Sequence, residues 1–210
     1  MLICAISDLH GRFPVIPPCD VLLIAGDICP DMHRRACNDV EIMRAEQTRW
    51  LNDEYYEWEQ TLPTRHIFAT AGNHDWVVRM PRHVNTRLFI DEAWENDGKR
   101  FYFTPWVAHC GDWNFQLDRA GRKVRFADIP AGLDVLVAHS PAHGVMDKAY
   151  NGDVCGCPEL RQMVQIQKPK VMVHGHIHEG QRWGKHMALG KTSVYNVSMW
   201  GDWSPTTFVI

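Results

Sequence analysis

Five short apolar runs in this sequence each end in aspartate, histidine or asparagine. Leu2–Ile6 (LICAI) runs into Ser7, Asp8, Leu9 and His10, and Val21–Ala25 (VLLIA) into Gly26 and Asp27. His66–Thr70 (HIFAT) runs into Ala71, Gly72, Asn73, His74 and Asp75. Val135–Ala138 (VLVA) is followed by His139, and Val171–Val173 (VMV) by His174, Gly175, His176, Ile177 and His178. Asp8, His10, Asp27, Asn73, His139, His176 and His178 together offer two carboxylates, four imidazoles and one amide oxygen. That is too many donors for one tetrahedral ion. It suits two divalent ions about 3.5–4 Å apart that share a carboxylate. Mixed nitrogen and oxygen donors without thiolate favour manganese, iron, zinc or nickel over magnesium or calcium alone. Singly, Asp-x-His or Gly-Asp is an ordinary turn; the joint occurrence, each after an apolar run, carries the reading.

If the runs are strands, such residues would converge on one point, because open α/β sheets bind ligands just outside the carboxyl ends of their strands. The runs are continuously apolar rather than alternating, which predicts strands covered on both faces. Shorter strands are expected at Arg87–Ile90, Phe101–Phe103, Ser193–Val197 and Thr206–Ile210. Met43, Trp50, Leu51, Tyr55, Trp58 and Leu62 share one face of a helix from Val40 to Leu62, which Pro63 stops. Pro158 suits a first helical position, so a second helix is expected from Pro158 to Gln167, closed by Pro169. Strand and helix alternation gives an α/β sandwich. Asp112 to Pro130, with mixed charge and Gly121, reads as a surface hairpin or loop. Glycines 26, 72 and 175 suit sharp turns after a strand that bring a ligand in close.

With 210 residues the chain is expected to form a single domain, 1–210. A composition of 45% hydrophobic and 22% charged residues excludes a disordered chain. A net charge of −3 argues against a bulk nucleic-acid surface. No apolar run is long enough to span a membrane. The seven cysteines are odd in number and irregularly spaced, which, with no secretory signal read at the start, leads us to expect reduced thiols and a cytoplasmic protein.

The motifs Asp8-x-His10, Gly26-Asp27, Gly72-Asn73-His74-Asp75, His139 and Gly175-His176-x-His178 together resemble the signature of the calcineurin-like metallophosphoesterases. Thr104-Pro105-Trp106, Trp113-Asn114-Phe115, Gly156-Cys157 and His176-Ile177-His178-Glu179-Gly180 further resemble the small metallophosphoesterase-domain branch, itself similar to class III cyclic nucleotide phosphodiesterases. Some animal members of that branch carry glycine where this chain keeps His176, so full activity is expected here. The resemblance implies a four-layer α/β/β/α sandwich of two mixed sheets flanked by helices. It implies one ion on Asp8, His10, Asp27 and His178, and a second on Asp27, Asn73, His139 and His176, with Asp27 bridging and manganese the first expectation. His74 would face the substrate phosphate or leaving oxygen, and Asp75 would orient His74 by a hydrogen bond.

Two metals lower the pKa of a shared water, so hydroxide is available near neutrality for in-line attack on a small phosphoester. The expected reaction is hydrolysis of a phosphodiester, a small or cyclic nucleotide being the substrate that the resemblance implies. A phosphomonoesterase, phosphoprotein phosphatase or dinucleoside polyphosphate hydrolase is the alternative. The branch with those activities carries a phosphate-clamping arginine soon after Gly-Asp; here Ile28-Cys29-Pro30-Asp31 follows, and arginines come only at Arg34 and Arg35. A non-catalytic scaffold of the same fold is a further alternative, weakened by the complete ligand set and His74. His174 reads as core, His143 as a loop residue or site wall, and Cys155 and Cys157 as plain thiols. Trp106, Trp200 and Trp203 are placed where they could stack on a nucleobase.

Overall fold

The computed structural model describes residues 1–31, 39–199, 201 and 203–210, so Arg34, Arg35 and Trp200 lie outside the described residues. The strands in chain order are β1 Leu2–Ile6, β2 Cys19–Ala25, β3 Thr64–Thr70, β4 Arg87–Leu88, β5 Glu92–Asn96, β6 Lys99–Thr104, β7 Val107–Ala108, β8 Gln116–Leu117, β9 Val135–Ala138, β10 Val171–His174, β11 His186–Leu189, β12 Thr192–Asn196 and β13 Thr206–Val209. The helices are α1 Val40–Trp50, α2 Tyr56–Glu59, α3 Arg119–Ala127 and α4 Pro158–Gln167. One sheet has the order β13-β1-β2-β3-β4 and the other β11-β12-β10-β9-β6-β5; β7 and β8 pair separately. The inner pairs β1–β2, β2–β3, β6–β9, β9–β10 and β10–β12 are parallel. The pairs β1–β13, β5–β6 and β11–β12 are antiparallel, so both sheets are mixed.

The period of two along each strand sorts its side chains between layers. In β1, Ile3 and Ala5 join Val21, Leu23, Phe101, Phe103, Val135 and Val137 in a core between the sheets. Cys4 and Ile6 face the other way, toward Trp50, Leu51 and Tyr55. In β9, Leu136 and Ala138 pack with Phe126 of α3 and with Leu160 and Val164 of α4. Each such fully buried Leu, Ile, Val or Phe side chain stabilises by about 1.5–3 kcal/mol. The order is therefore helix, sheet, sheet, helix, the four-layer sandwich that the resemblance implied. No described helix is long and apolar enough to cross a membrane.

Two elements differ from the sequence reading. The first helix is not continuous: a π-helical turn, Leu51–Tyr55, separates α1 from α2. It accompanies burial of both Leu51 and Tyr55, with Glu59 buried one turn on. Glu59 accepts the backbone N–H groups of Asn85 at 2.7 Å and Thr86 at 2.6 Å, which satisfies its charge inside the protein. The second difference is α3, which occupies the stretch read as a hairpin or loop. Asp118 caps it by accepting the Gly121 N–H at 2.7 Å. Arg122 and Phe126, four apart, form its buried face, and Arg122 reaches Glu159 of α4 at 3.2 Å. The face that carries Arg122 is the buried one, while Val124 is exposed, so the apolar residues of this segment do not all mark its buried side.

Candidate metal centre

The carboxyl ends of β1, β2, β3, β9 and β10 converge, and backbone hydrogen bonds fix them to one another. Asp8 N–H donates to Gly26 O at 3.0 Å and His10 N–H to Asp27 O at 3.0 Å. Gly175 N–H donates to His139 O at 3.1 Å, and Met199 N–H to Ser7 O at 2.8 Å ties the two sheets together. Asp8, His10, Asp27 and His176 all have left-handed backbone, with φ of 58°, 46°, 54° and 66°. Such conformations cost of order 1–3 kcal/mol each and persist where the surroundings over-determine them, commonly at functional sites. Gly72 and Gly175 serve the close approach expected of them without positive φ: a Cβ on Gly72 would meet the Asp27 carboxylate, and one on Gly175 would meet Ser7 and Asp8.

The seven residues meet around one open cleft of about 860 Å³. Asp8, His10, Asp27, Asn73, His176 and His178 line it, while His139 lies fully buried behind them. His178 Nε2 is 3.1 Å from Asp8 Oδ1, and His139 Nε2 is 3.3 Å from Asp27 Oδ2 and 3.1 Å from Asn73 Oδ1. Ligand atoms of Asp8, His10 and His178 all lie within 4.8 Å of one another, as do those of Asp8, Asp27 and His139. The two carboxylates are aimed by the backbone: His176 N–H donates to Asp8 at 3.0 Å and His74 N–H to Asp27 at 2.8 Å. His139 Nδ1 faces Ala25 O at 2.7 Å, which assigns its proton to Nδ1 and leaves Nε2 for the cleft.

Charge dominates the electrostatics. Burial opposes ionisation of Asp8 and Asp27, yet imidazoles beside each hold both well below the usual carboxylate range: His178 first for Asp8 and His139 for Asp27. Burial likewise opposes protonation of His139, but Asp27 and then Asp8 raise it to about 9. His10 also rises to about 9 against its own burial, through Asp31, Asp27 and Asp8. His176 falls to about 3, from desolvation and then the charge on His139. Both ring nitrogens of His10 are buried without a hydrogen-bond partner. Unpartnered buried imidazole atoms beside two ionised carboxylates are what divalent cations would satisfy, so this donor set fits two such ions.

One expectation is corrected. Asp75 does not orient the imidazole of His74: its carboxylate accepts the backbone N–H groups of Ile28 at 3.0 Å, Cys29 at 2.9 Å and Gly72 at 2.9 Å. It is buried and knots the loop after β2 to the loop after β3. His74 Nδ1 instead contacts Asp31, which also lies 3.5 Å from His10 Nδ1. Burial works against charge on Asp31, but the imidazoles of His10 and His74 beside it hold it well below the ordinary carboxylate range. The sequence reading missed Asp31. Its one signal was a carboxylate four residues after Asp27 in the same loop. The Trp113 ring stacks on His74 with centroids 3.8 Å apart, also unforeseen. Asp75→Ala should leave three buried N–H groups without an acceptor and lower unfolding stability by about 3 kcal/mol or more, since each unsatisfied group costs ~1–3 kcal/mol. A urea midpoint that moves at constant slope measures it; an unmoved midpoint refutes it.

The remaining residues sort as follows. His174 is fully buried and lowered to about 4 by burial, a core histidine. His143 is half-exposed near Asp147 and does not line the cleft. Cys155 and Cys157 are free thiols, their sulfurs near Asp153 O and Glu159 respectively. Trp106 donates to Asp91 and carries Arg125 over its ring, away from the cleft, whereas Trp203 lines it.

The sequence matches the family profile described as calcineurin-like phosphoesterase over residues 1–180. It is 30% identical over 225 residues to a UPF0046 protein of Caenorhabditis elegans, covering 92% of this chain and 72% of that one. It is 28% identical over 228 residues to metallophosphoesterase domain-containing protein 1 of Homo sapiens, spanning 92% of this chain and 64% of that relative. A solved structure from Thermus thermophilus superposes with a TM-score of 0.53 at 14% identity, covering 93% of this chain and 88% of that one; the likeness is one of fold.

Proposed function

The chain belongs to the calcineurin-like phosphoesterase family, and from that premise we propose that it hydrolyses a small phosphodiester at a two-metal centre. The observation that carries the reading is the meeting of seven nitrogen and oxygen donors from five strand ends, two of them ionised carboxylates. Asp8, His10, Asp27 and His178 would hold one ion and Asp27, Asn73, His139 and His176 the other. Bound there, two divalent ions neutralise the phosphate and lower the pKa of a water toward neutrality. Manganese suits the mixed donors first.

The chain's own groups do the rest. The His176 and His74 N–H groups hold Asp8 and Asp27 in place, so the site is organised before substrate arrives. Asp31 engages His74 at Nδ1, which leaves Nε2 to carry a proton to the departing alkoxide. Trp113, stacked on the ring, keeps it from turning and excludes water from that face.

The test is turnover of bis-p-nitrophenyl phosphate and p-nitrophenyl phosphate side by side with added manganese, metal content being measured on the same sample. Diester turnover with about two metals per chain supports the reading; preference for the monoester moves it to a phosphatase, and loaded protein without turnover of either overturns it. Metal uptake carries its own pH signature. His10 and His139, each raised to about 9, hold protons at pH 7 in the metal-free protein. An ion must displace them, and Asp8 raises His178 as well, so binding at pH 7 should release at least two protons, and affinity should rise with pH until it levels above about 9. Calorimetry in buffers of different ionisation enthalpy reads the count; no proton release would refute it. The same sign governs folding: these raised values stabilise the metal-free protein fully below pH 6.5, and that contribution is lost as pH rises through about 9.

A further inference from the structure

Arg12 is the only arginine or lysine among the described residues that line the cleft. Its place is fixed by the same loop that carries Asp8 and His10. Gly11 N–H donates to Ile28 O at 3.1 Å and Arg12 N–H to Leu9 O at 2.9 Å, so the Arg12 backbone cannot drift from the ligands. The guanidinium lies over the Trp203 ring, its Cζ 5.0 Å from the centroid. Trp203 also lines the cleft and is half-buried against the core cluster around Trp50 and Tyr55. No described carboxylate within ion-pair distance neutralises Arg12, although Asp8, Asp27 and Asp31 all line the same cleft. Stacking occupies the face of a guanidinium and leaves its in-plane N–H fork open, the geometry that grips phosphate oxygens.

We propose that Arg12, laid on Trp203, is the phosphate-binding arginine of this cleft, a role that the loop after Gly26-Asp27 does not fill among the described residues. Arg12 contacts the phosphate oxygens, and Trp203 is a positioning residue that acts through Arg12. The proposal rests on the phosphoesterase reading for its substrate but not for its ligand chemistry, because inorganic phosphate tests it directly.

The experiment is calorimetric titration of the manganese-loaded full chain with inorganic phosphate, with metal content and diester KM and kcat measured alongside. Arg12→Ala should weaken phosphate binding and raise KM by about 10- to 100-fold, as loss of a charge-assisted hydrogen bond does, with metal content unchanged. Arg12→Lys should recover part of the loss, because charge survives and the fork does not. Trp203→Leu should weaken phosphate binding in the wild-type background and have no further effect on it in Arg12→Ala, the coupling that a merely structural tryptophan would not show. Equal phosphate affinity in wild type and Arg12→Ala, or no phosphate binding by the loaded wild type, overturns the proposal. Phosphate binding that depends on Arg12 in a protein that turns over no ester upholds it and overturns the phosphoesterase reading instead.

Discussion

Asp27→Ala is expected to abolish loading of both metal ions and to lower phosphodiester turnover by roughly three orders of magnitude or more. Several kcal/mol of charge stabilisation disappear with the ions, and about 1.4 kcal/mol corresponds to each tenfold in rate. Asp27 stands at the middle of the site. Its carboxylate faces His139 at 3.3 Å and His10 at 3.9 Å, and accepts the His74 N–H at 2.8 Å. Removing it therefore deprives both proposed ion positions of a shared ligand and loosens the loop that carries His74. The buried His139 also loses the carboxylate that holds its proton, so its pKa should fall toward that of an unpaired buried imidazole. Metal analysis, imidazole titration by NMR and turnover on one sample check the three consequences. Full loading with undiminished turnover would exclude a bridging role for Asp27.

His74→Ala is expected to leave metal content intact while slowing hydrolysis, and the size of the loss should depend on the leaving group. General acid catalysis contributes about 10²–10⁴-fold where the departing alkoxide needs a proton. p-Nitrophenolate departs without one at neutral pH, so a p-nitrophenyl diester should lose much less than a diester with an alkyl leaving group. Asp31→Asn should reproduce a smaller loss with the same dependence, because Asp31 contacts Nδ1 and sets which nitrogen carries the transferable proton. Steady-state rates on the two substrates decide the matter. Equal losses on both would mean that His74 grips the phosphate and transfers no proton.

Much of this site was legible locally. An apolar run that ends in Gly-Asp or in Gly-x-His carries its own instructions: hydrophobic residues bury the strand, and the turn delivers the polar residue at the strand end. That is why Asp8, Asp27, Asn73, His139, His176 and His178 could be placed at strand ends without a structure; the packing of two sheets, three residues from each, is what brings them together. Helix α4 was legible for the same reason, with Pro158 at its start and Pro169 after its end. Helix α3 was not, because its buried face carries an arginine whose charge is met by Glu159, 37 residues away.

The sequence alone determined which chemical groups the strands present at their ends and that they form a candidate metal-ligand set. The tertiary structure alone decided their partners. Asp31 rather than Asp75 contacts the His74 ring, across 43 positions of sequence. Asp75 serves backbone N–H groups 46 and 47 positions away, and Arg12 lies on Trp203 from the far end of the chain. The physical reason is the range of the forces. Strand burial and turns are set by neighbours in sequence, whereas pairing between loops depends on sheet order and loop path, which no short pattern of residues encodes.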